Sequence, residues 1–198
     1  MINTIFGIPI LKIEMPNHAA IKEQFLPFLE DADNFATSEQ WDCMCGTTHC
    51  ISEKNDRFPW DGFYENVQGV LVQYLSELGV KPELFENLHG YAWANRYVQN
   101  EHQEIHSHTS SKNLVSCAYM LELSEEEHTG QFMFYNSSNA YFPSDIMNET
   151  HLQFDGKRHN PFLKEGDIIF FPSSLDHYVT YNKAGIRRAT ISANFGIN

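Results

Sequence analysis

The stretch GDIIFFPSSLDHYV, at residues 166–179, is the part of the sequence that most clearly indicates the fold. Its four consecutive apolar residues at 168–171 predict a strand that is buried on both faces. Pro172 ends that strand, and a short loop after it leads to Asp176 and His177. The stretch therefore predicts a buried β-strand whose following loop presents a histidine.

The next segment, RRATISANF at residues 187–195, predicts a strand with a polar face. Alternate residues of a strand share a face, so one side would carry Arg188, Thr190, Ser192 and Asn194. A guanidinium inside a barrel can hold a carboxylate through paired hydrogen bonds. Because strand register can slip by one residue, Arg187 is the alternative to Arg188.

A second histidine motif precedes these strands, at His106-Ser107-His108. In extended chain both imidazoles point to the same side and can reach one metal ion. Neutral imidazole is the commonest metal ligand in proteins. With His177, these residues make a candidate metal site from three of the ten histidines.

The second half of the chain is rich in short strand-like segments separated by turns, which predicts a sandwich or barrel. Residues 136–165 are rich in Asn, Ser, His and Pro and predict a long insertion, and loops of that length in compact domains are often functional lids. The predicted strands are residues 90–99, 114–123, 130–135, 152–154, 167–171, 177–181 and 187–195.

The first half has a different character. Residues 4–14 predict an edge strand, because they alternate loosely and contain a proline. Apolar residues at three- and four-residue spacing predict helices at 17–31 and 61–78. Between them, 33–60 shows no sustained period and is predicted to be a long loop.

Composition excludes several classes of protein. A chain of 198 residues with 42% hydrophobic residues predicts one domain with its own core. The net charge of −13 argues against binding to nucleic acid or to an anionic membrane. We find no apolar run of about 18 residues, no signal peptide, and no Walker, Rossmann or nucleophile-elbow motif.

Four cysteines are too few and too unevenly placed for a disulfide scaffold, which favours a reducing, cytoplasmic setting. Three of them lie in DCMCGTTHC, at residues 42–50. Cys43, Cys45, His49 and Cys50 offer a zinc knuckle, but the spacing is not a standard C-x₂-C pair. We therefore favour free thiols over a zinc site.

Several of these motifs together resemble the 2-oxoglutarate- and Fe(II)-dependent oxygenases, in particular prolyl-hydroxylase-like members from bacteria and marine phages. The resemblance implies a mainly β fold with flanking helices, the double-stranded β-helix (a cupin-like jelly roll). It would make residues 1–198 a single domain, with the core at 85–198 and residues 1–84 supplying a strand, a loop and two helices packed on the barrel. The motifs are FGIPI (6–10), Trp93-Ala94-Asn95, HSHTSSKNLVSCAYML (106–121), GDIIFFPSSLDH (166–177) and RRATISANF (187–195).

For the metal, the resemblance implies that His106 and His177 are ligands. His108 stands where the wider superfamily has an Asp or Glu, whereas the usual non-haem iron site is two histidines and a carboxylate. Three neutral ligands would also suit zinc or nickel, and Asp176 or another nearby acid is an alternative third ligand. The identity of the metal stays open at this point.

For the cosubstrate, the resemblance implies that Arg188, or Arg187 if the register slips, pairs with the far carboxylate of 2-oxoglutarate. Thr190 matches the small hydroxyl residue two positions on. Tyr119 lies in the strand that often supplies a cosubstrate tyrosine, with Met120 as the alternative inward residue.

The implied function is a dioxygenase that uses Fe(II), O₂ and 2-oxoglutarate, forms succinate and hydroxylates a small molecule or a protein side chain. Ascorbate as an added reductant and a homodimer are compatible with this function. One alternative is a cupin-like three-histidine metalloenzyme that does not use 2-oxoglutarate. Another is a non-catalytic jelly roll with a binding or structural role.

Overall fold

The computed structural model describes residues 7–37, 43–124, 129–137, 158–183 and 185–197, which form two facing β-sheets with helices on one side. All strand pairs within the sheets are antiparallel. The strands are β1 (Leu11–Glu14), β2 (Cys43–Met44), β3 (Gly46–Thr47), β4 (Leu88–Tyr97), β5 (His102–His106), β6 (Val115–Glu122), β7 (Phe132–Tyr135), β8 (Arg158–His159), β9 (Asp167–Pro172), β10 (His177–Val179) and β11 (Arg188–Ile197).

The larger sheet has the order β1-β9-β6-β11-β4-β3, and the smaller one has the order β2-β5-β10-β7-β8. Strands close in sequence are thus distributed between two sheets, as in a jelly roll. The long ladder between β11 and β4 pairs Arg188 with Tyr97 and Thr190 with Asn95. This ladder fixes which residues of β11 face the smaller sheet.

The buried run of β9 shows how the sheets share the apolar residues. Ile168 and Phe170 belong to the cluster between the larger sheet and the helices, whereas Ile169 and Phe171 belong to the cluster between the two sheets. A strand with apolar residues on both faces is therefore required at the centre of the fold. The prediction of a strand at 167–171 is confirmed.

The helices cover the outer face of the larger sheet. They are α1 (His18–Glu30), α2 (Ser52–Asn55) and α3 (Trp60–Glu77), with short 3₁₀ turns at Ala32–Asn34 and Pro82–Asn87. α3 buries Phe63, Val67 and Leu71 on one side, which is the three- and four-residue spacing of its apolar residues. Both predicted long helices are confirmed to within about two residues.

The mainly β architecture with flanking helices is confirmed, but some elements were not anticipated. β2, β3 and α2 lie in the segment predicted as loop, and β5 was not recognised as a strand. The predicted strand at 152–154 and most of the insertion at 136–165 lie outside the described residues. Where the structure describes the chain, no helix combines the length and the apolar character that a membrane crossing requires.

Candidate metal centre

Two histidines are paired on neighbouring strands of the smaller sheet. His106, the last residue of β5, is the register partner of His177, the first residue of β10. The next pair, Val179 with Gln103, shows that β5 has one more residue than β10 between these points. This bulge turns both His106 and Gln103 toward the space between the sheets, which a regular alternation would not do.

The third histidine reaches the same place from a loop. The backbone N–H of His108 donates to the carbonyl of Ser173 at 2.8 Å, which ties the loop after β5 to the turn before β10. Its ring lies against Trp93, with 5.4 Å between the ring centroids. Ring nitrogens of His106, His108 and His177 all lie within 4.8 Å of one another. The structure thus brings together the three histidines that the sequence predicted.

The hydrogen bonds of the outer ring nitrogens leave the inner ones available. His106 Nδ1 donates to the carbonyl of Glu104 and His177 Nδ1 to that of Leu175, each at 2.8 Å. In this tautomer the lone pair is on Nε2, which is the arrangement found in metal-binding histidines. His108 Nδ1 lies 3.3 Å from the amide nitrogen of Asn194.

Burial keeps the rings of His108 and His177 neutral. Desolvation, and then the neighbouring His106 and His49, lowers the pKa of His108 to about 3. Desolvation followed by the two other histidines lowers the pKa of His177 well below its usual value. A metal ligand must be unprotonated, so these two rings are ready to bind a cation at neutral pH.

The donor set fits a first-row divalent metal. Imidazole nitrogen suits iron, zinc, copper and nickel, and three ligands leave positions for other groups. Within the described ranges, no carboxylate belongs to this cluster, and Asp176 stays outside it. The cluster thus consists of three imidazoles, with His108 as its third member.

Arg188 lies behind the histidines, between the sheets, with 1% of its surface exposed. Its guanidinium carbon lies 4.6 Å from the centre of the Tyr97 ring, and one terminal nitrogen approaches the sulfur of Met120 at 3.6 Å. Its Nε and Nη1 have no hydrogen-bond partner among the described residues. Burial lowers the pKa of Arg188 from its usual value. A buried guanidinium with two unpartnered nitrogens is costly, which points to an anionic ligand.

The other predicted cosubstrate residues have different positions. Thr190 lines the same pocket as Arg188. Arg187 faces away and pairs with Glu122, with Nε–Oε2 and Nη2–Oε1 distances of 2.6 and 3.0 Å. The register of β11 therefore selects Arg188 and leaves the alternative, Arg187, outside the pocket.

Tyr119 also lies outside this pocket. Its hydroxyl is 2.5 Å from His18 Nδ1, and its ring stacks on Phe63 in the cluster beneath the helices. The next residue, Met120, faces the space between the sheets instead. Residues of β6 alternate between the two faces of the larger sheet. Of the two candidates for the inward position, Met120 therefore faces the space between the sheets and Tyr119 faces the helices.

A second cavity, a cleft of about 290 Å³, also borders His106 and His108 but does not include Arg188. The sequence analysis placed neither His49 nor Glu104 in this cleft. His49 was considered only as part of a zinc knuckle, and Glu104 reaches the cleft through a bulge that no motif indicates. The cleft is lined by Thr47, His49, Trp93, Asn95, Gln103, Glu104, His106, Ser107, His108, Thr109, Ser110, Asn113 and Asn194.

The cysteine-rich segment forms no second metal cluster in the part of the chain that the structure describes. Cys45 is buried between the sheets, whereas Cys50 is exposed and lies 3.9 Å from His49 Nδ1. The side chain of Cys43 is outside the described residues. Cys117 is a free thiol that is buried beneath the helices.

Residues 91–194, more than half of the chain, match the sequence profile of a protein family described as "Putative 2OG-Fe(II) oxygenase". The chain belongs to this family. The match includes the three histidines and Arg188. No curated protein is similar enough to match the chain.

Solved structures of low identity share the fold. A Pseudomonas putida prolyl-4-hydroxylase is 15% identical, with a TM-score of 0.61 over 96% of this chain and 94% of the other. The epimerase SnoN from nogalamycin biosynthesis, solved with Fe³⁺, α-ketoglutarate and nogalamycin RO, is 12% identical, with a TM-score of 0.65 over 96% of this chain and 79% of the other. HygX from Streptomyces hygroscopicus, solved with nickel, 2-oxoglutarate and hygromycin B, is 13% identical, with a TM-score of 0.55 over 96% and 83%.

These findings confirm the predicted double-stranded β-helix and the predicted enzyme class. The protein is an Fe(II)- and 2-oxoglutarate-dependent oxygenase, so its cofactor and cosubstrates are Fe(II), 2-oxoglutarate and O₂. A metalloenzyme that does not use 2-oxoglutarate and a non-catalytic jelly roll are both disfavoured by membership of this family.

Proposed function

We propose that His106, His108 and His177 bind Fe(II), that Arg188 and Thr190 bind 2-oxoglutarate, and that the oxygenase hydroxylates a substrate held in the adjacent cleft. The buried guanidinium of Arg188 carries this proposal, because its Nε and Nη1 lack partners among the described residues and it lines one pocket together with the three histidines. When bound, the iron supplies the redox chemistry that couples decarboxylation of 2-oxoglutarate to oxidation of a C–H bond.

Arg188 is suited to orient a dianionic cosubstrate. Its unpartnered Nε and Nη1 each share a carboxylate-binding edge of the guanidinium with Nη2, which contacts Met120 Sδ. Release of Met120 therefore opens an edge that can bind a carboxylate through two parallel hydrogen bonds. The Tyr97 ring beneath it favours a cation and restricts its movement. Three neutral ligands would also leave the iron with its full charge, which favours binding of a dianion.

The pocket must enlarge to accept the cosubstrate. The cavity beside Arg188 measures about 20 Å³, which holds about one water molecule. Met120 Sδ approaches the guanidinium, and a methionine side chain changes rotamer easily. We infer that Met120 turns away when the carboxylate binds, while Phe132 and Phe171 keep the pocket dry.

Other features of the proposal follow from the sequence. Residues 1–198 form a single domain, the setting is cytoplasmic, and the substrate is a small molecule or a protein side chain. Nucleic acid is disfavoured by the net charge of −13. A homodimer is the assembly to be checked, by size-exclusion chromatography with light scattering.

The experiment is an assay of succinate formed from 2-oxoglutarate by purified protein with Fe(II) and ascorbate, before any substrate is added. We expect succinate in wild-type protein and a melting temperature that rises with 2-oxoglutarate in the presence of Ni(II). Arg188→Lys keeps the positive charge but loses the paired N–H donors of the guanidinium, and should raise the KM for 2-oxoglutarate at least tenfold. The matched variant Arg187→Lys lies outside the pocket and should not change it. Absence of both succinate and the thermal shift would refute the assignment of the site.

A further inference from the structure

The cleft on the substrate side of the histidines has one distinctive charge. It shares Trp93, Gln103, His106 and His108 with the inner pocket, so a molecule in the cleft lies beside the proposed metal site. Of the described residues that line it, Glu104 alone belongs to the Asp, Glu, Lys and Arg types. Among its described lining residues, the cleft therefore presents one carboxylate and no Lys or Arg side chain.

One oxygen of the Glu104 carboxylate lacks a hydrogen-bond partner among the described residues. This oxygen, Oε2, is buried. The bulge in β5 explains its position, because the extra residue between Gln103 and His106 disturbs the alternation of the strand. A buried carboxylate oxygen without a donor is unfavourable, so a ligand that supplies the donor gains a charge-assisted hydrogen bond there.

Asn95 offers a second acceptor in the same cleft. Its side chain is 2% exposed, and its Nδ2 donates to Ser192 Oγ at 3.1 Å. With the nitrogen engaged there, Oδ1 is buried and has no hydrogen-bond partner among the residues described. Two unsatisfied acceptors in one cleft favour a ligand with several N–H donors.

The wall of the cleft favours a cation for a separate reason. Trp93 lines it, and Tyr91 stacks on Trp93 with 6.0 Å between ring centroids. The face of an indole attracts ammonium and guanidinium groups. His49, packed edge-on against Trp93 at 4.8 Å, has its pKa lowered by burial and so adds no positive charge at neutral pH.

We propose that the substrate carries an ammonium or guanidinium group, which Glu104 and Asn95 bind while the aromatic wall packs against it. This inference rests on the proposed function, because it takes the cleft to be the substrate side of the three-histidine centre. The shared chemistry has two sources, a free basic metabolite or the side chain of a Lys or Arg residue in a protein.

The test is calorimetric titration of protein loaded with Ni(II) and 2-oxoglutarate, using probes that differ in charge. The blocked amino acids N-acetyl-lysine methylamide and N-acetyl-arginine methylamide are the cationic probes. The norleucine and glutamate analogues are the neutral and acidic ones. Pentylamine and a blocked Gly-Gly-Lys-Gly-Gly peptide separate the two sources, since the tighter binder identifies which is accommodated.

We expect a cationic probe to bind at least tenfold more tightly than the norleucine analogue. Glu104→Gln, which preserves shape and removes the charge, should reduce that ratio to within about twofold. Glu23→Gln is the matched control, because it removes the same charge from the exposed side of α1 beyond the larger sheet, and should leave the ratio unchanged.

The inference is overturned if the wild-type protein prefers the neutral or acidic probe, or binds no cationic probe saturably. It is also overturned if the preference survives Glu104→Gln or disappears equally in Glu23→Gln. The thermal shift with 2-oxoglutarate, recorded on the same samples, tests the proposed function separately. If the protein cannot be loaded with Ni(II) and 2-oxoglutarate, titration of the metal-free protein with the same probes still measures the charge preference of the cleft.

Discussion

His108 Nε2 lies 3.2 Å from His177 Nε2, and the two rings are nearly parallel, with an angle of 20° between their planes. Because His177 Nδ1 donates to the Leu175 carbonyl, His177 Nε2 carries the lone pair, and the proton between the rings belongs to His108. A metal bound by both rings would replace this hydrogen bond. The proton of His108 would then lie on Nδ1, which faces Asn194.

His108 should therefore be necessary for tight metal binding. We expect His108→Ala to weaken Fe(II) binding at least a hundredfold, because it removes one of three ligands in a buried site. His159→Ala is the control, since His159 is exposed on β8 and does not belong to the cluster. Isothermal titration calorimetry with Mn(II) or Fe(II) under argon measures the metal affinity of both variants. Equal affinities in the two variants would show that His108 is not a ligand.

Asn194 should position His108 rather than touch the metal. Its Nδ2 lies 3.3 Å from His108 Nδ1, and its Oδ1 accepts a hydrogen bond from Ser116 at 2.7 Å. When the metal moves the His108 proton to Nδ1, a 180° turn of the amide lets Oδ1 accept that proton while Nδ2 donates to Ser116 Oγ. Loss of such an outer partner typically costs 10- to 100-fold in metal affinity, so we expect that range for Asn194→Leu. Asn194→Asp can accept the Nδ1 proton and should bind metal at least as tightly as wild type. A loss as large in Asn194→Asp as in Asn194→Leu would exclude this role.

Sequence reasoning succeeded where periodicity and motif agreed. The polar face of β11 was predicted from simple alternation, and Thr190 and Ser192 do line the pocket together with Arg188. The buried run at 168–171 likewise required a central strand. These features depend on the two-residue period of a strand, which a sequence shows directly.

The remaining features depend on register and irregularity. Tyr119 and Met120 exchange faces if β6 shifts by one residue, and the sequence alone does not contain that information. Glu104 enters the cleft because β5 bulges, and His108 reaches the centre from a loop rather than from the strand. The hydrogen bond from the His108 N–H to Ser173 joins two segments 65 residues apart, which no local pattern predicts.

Gly130 should influence cosubstrate binding although it lies outside the metal cluster. It has a φ of +53°, and a Cβ at this position would lie 2.9 Å from Arg188 Cδ. Gly130→Ala should displace the guanidinium and raise the KM for 2-oxoglutarate at least fivefold, besides a strain of about 1 kcal/mol.

Gly79→Ala is the control that separates the backbone strain of an alanine at positive φ from the displacement of Arg188. Gly79 has a φ of +83°, but a Cβ there meets nothing within 4 Å. This variant should lower the melting temperature and leave the KM for 2-oxoglutarate unchanged. Succinate assays and thermal melts of both variants provide the comparison. If Gly130→Ala behaves like Gly79→Ala in the succinate assay, the contact with Arg188 has no role in cosubstrate binding.

The metal-free protein should lose stability as the pH falls below 6.5. The pKa of His108 is about 3 in the folded protein, and that of His177 is also far below 6.5. The unfolded chain therefore binds more protons than the folded one between pH 6.5 and about 3, so stability declines as pH falls through this window. Each histidine contributes about 1.4 kcal/mol for each pH unit well below 6.5. Urea unfolding of EDTA-treated protein from pH 8 to 4.5 measures the slope. His108→Gln, which cannot be protonated, should reduce that slope, and an unchanged slope would contradict the assignment of a depressed pKa to His108.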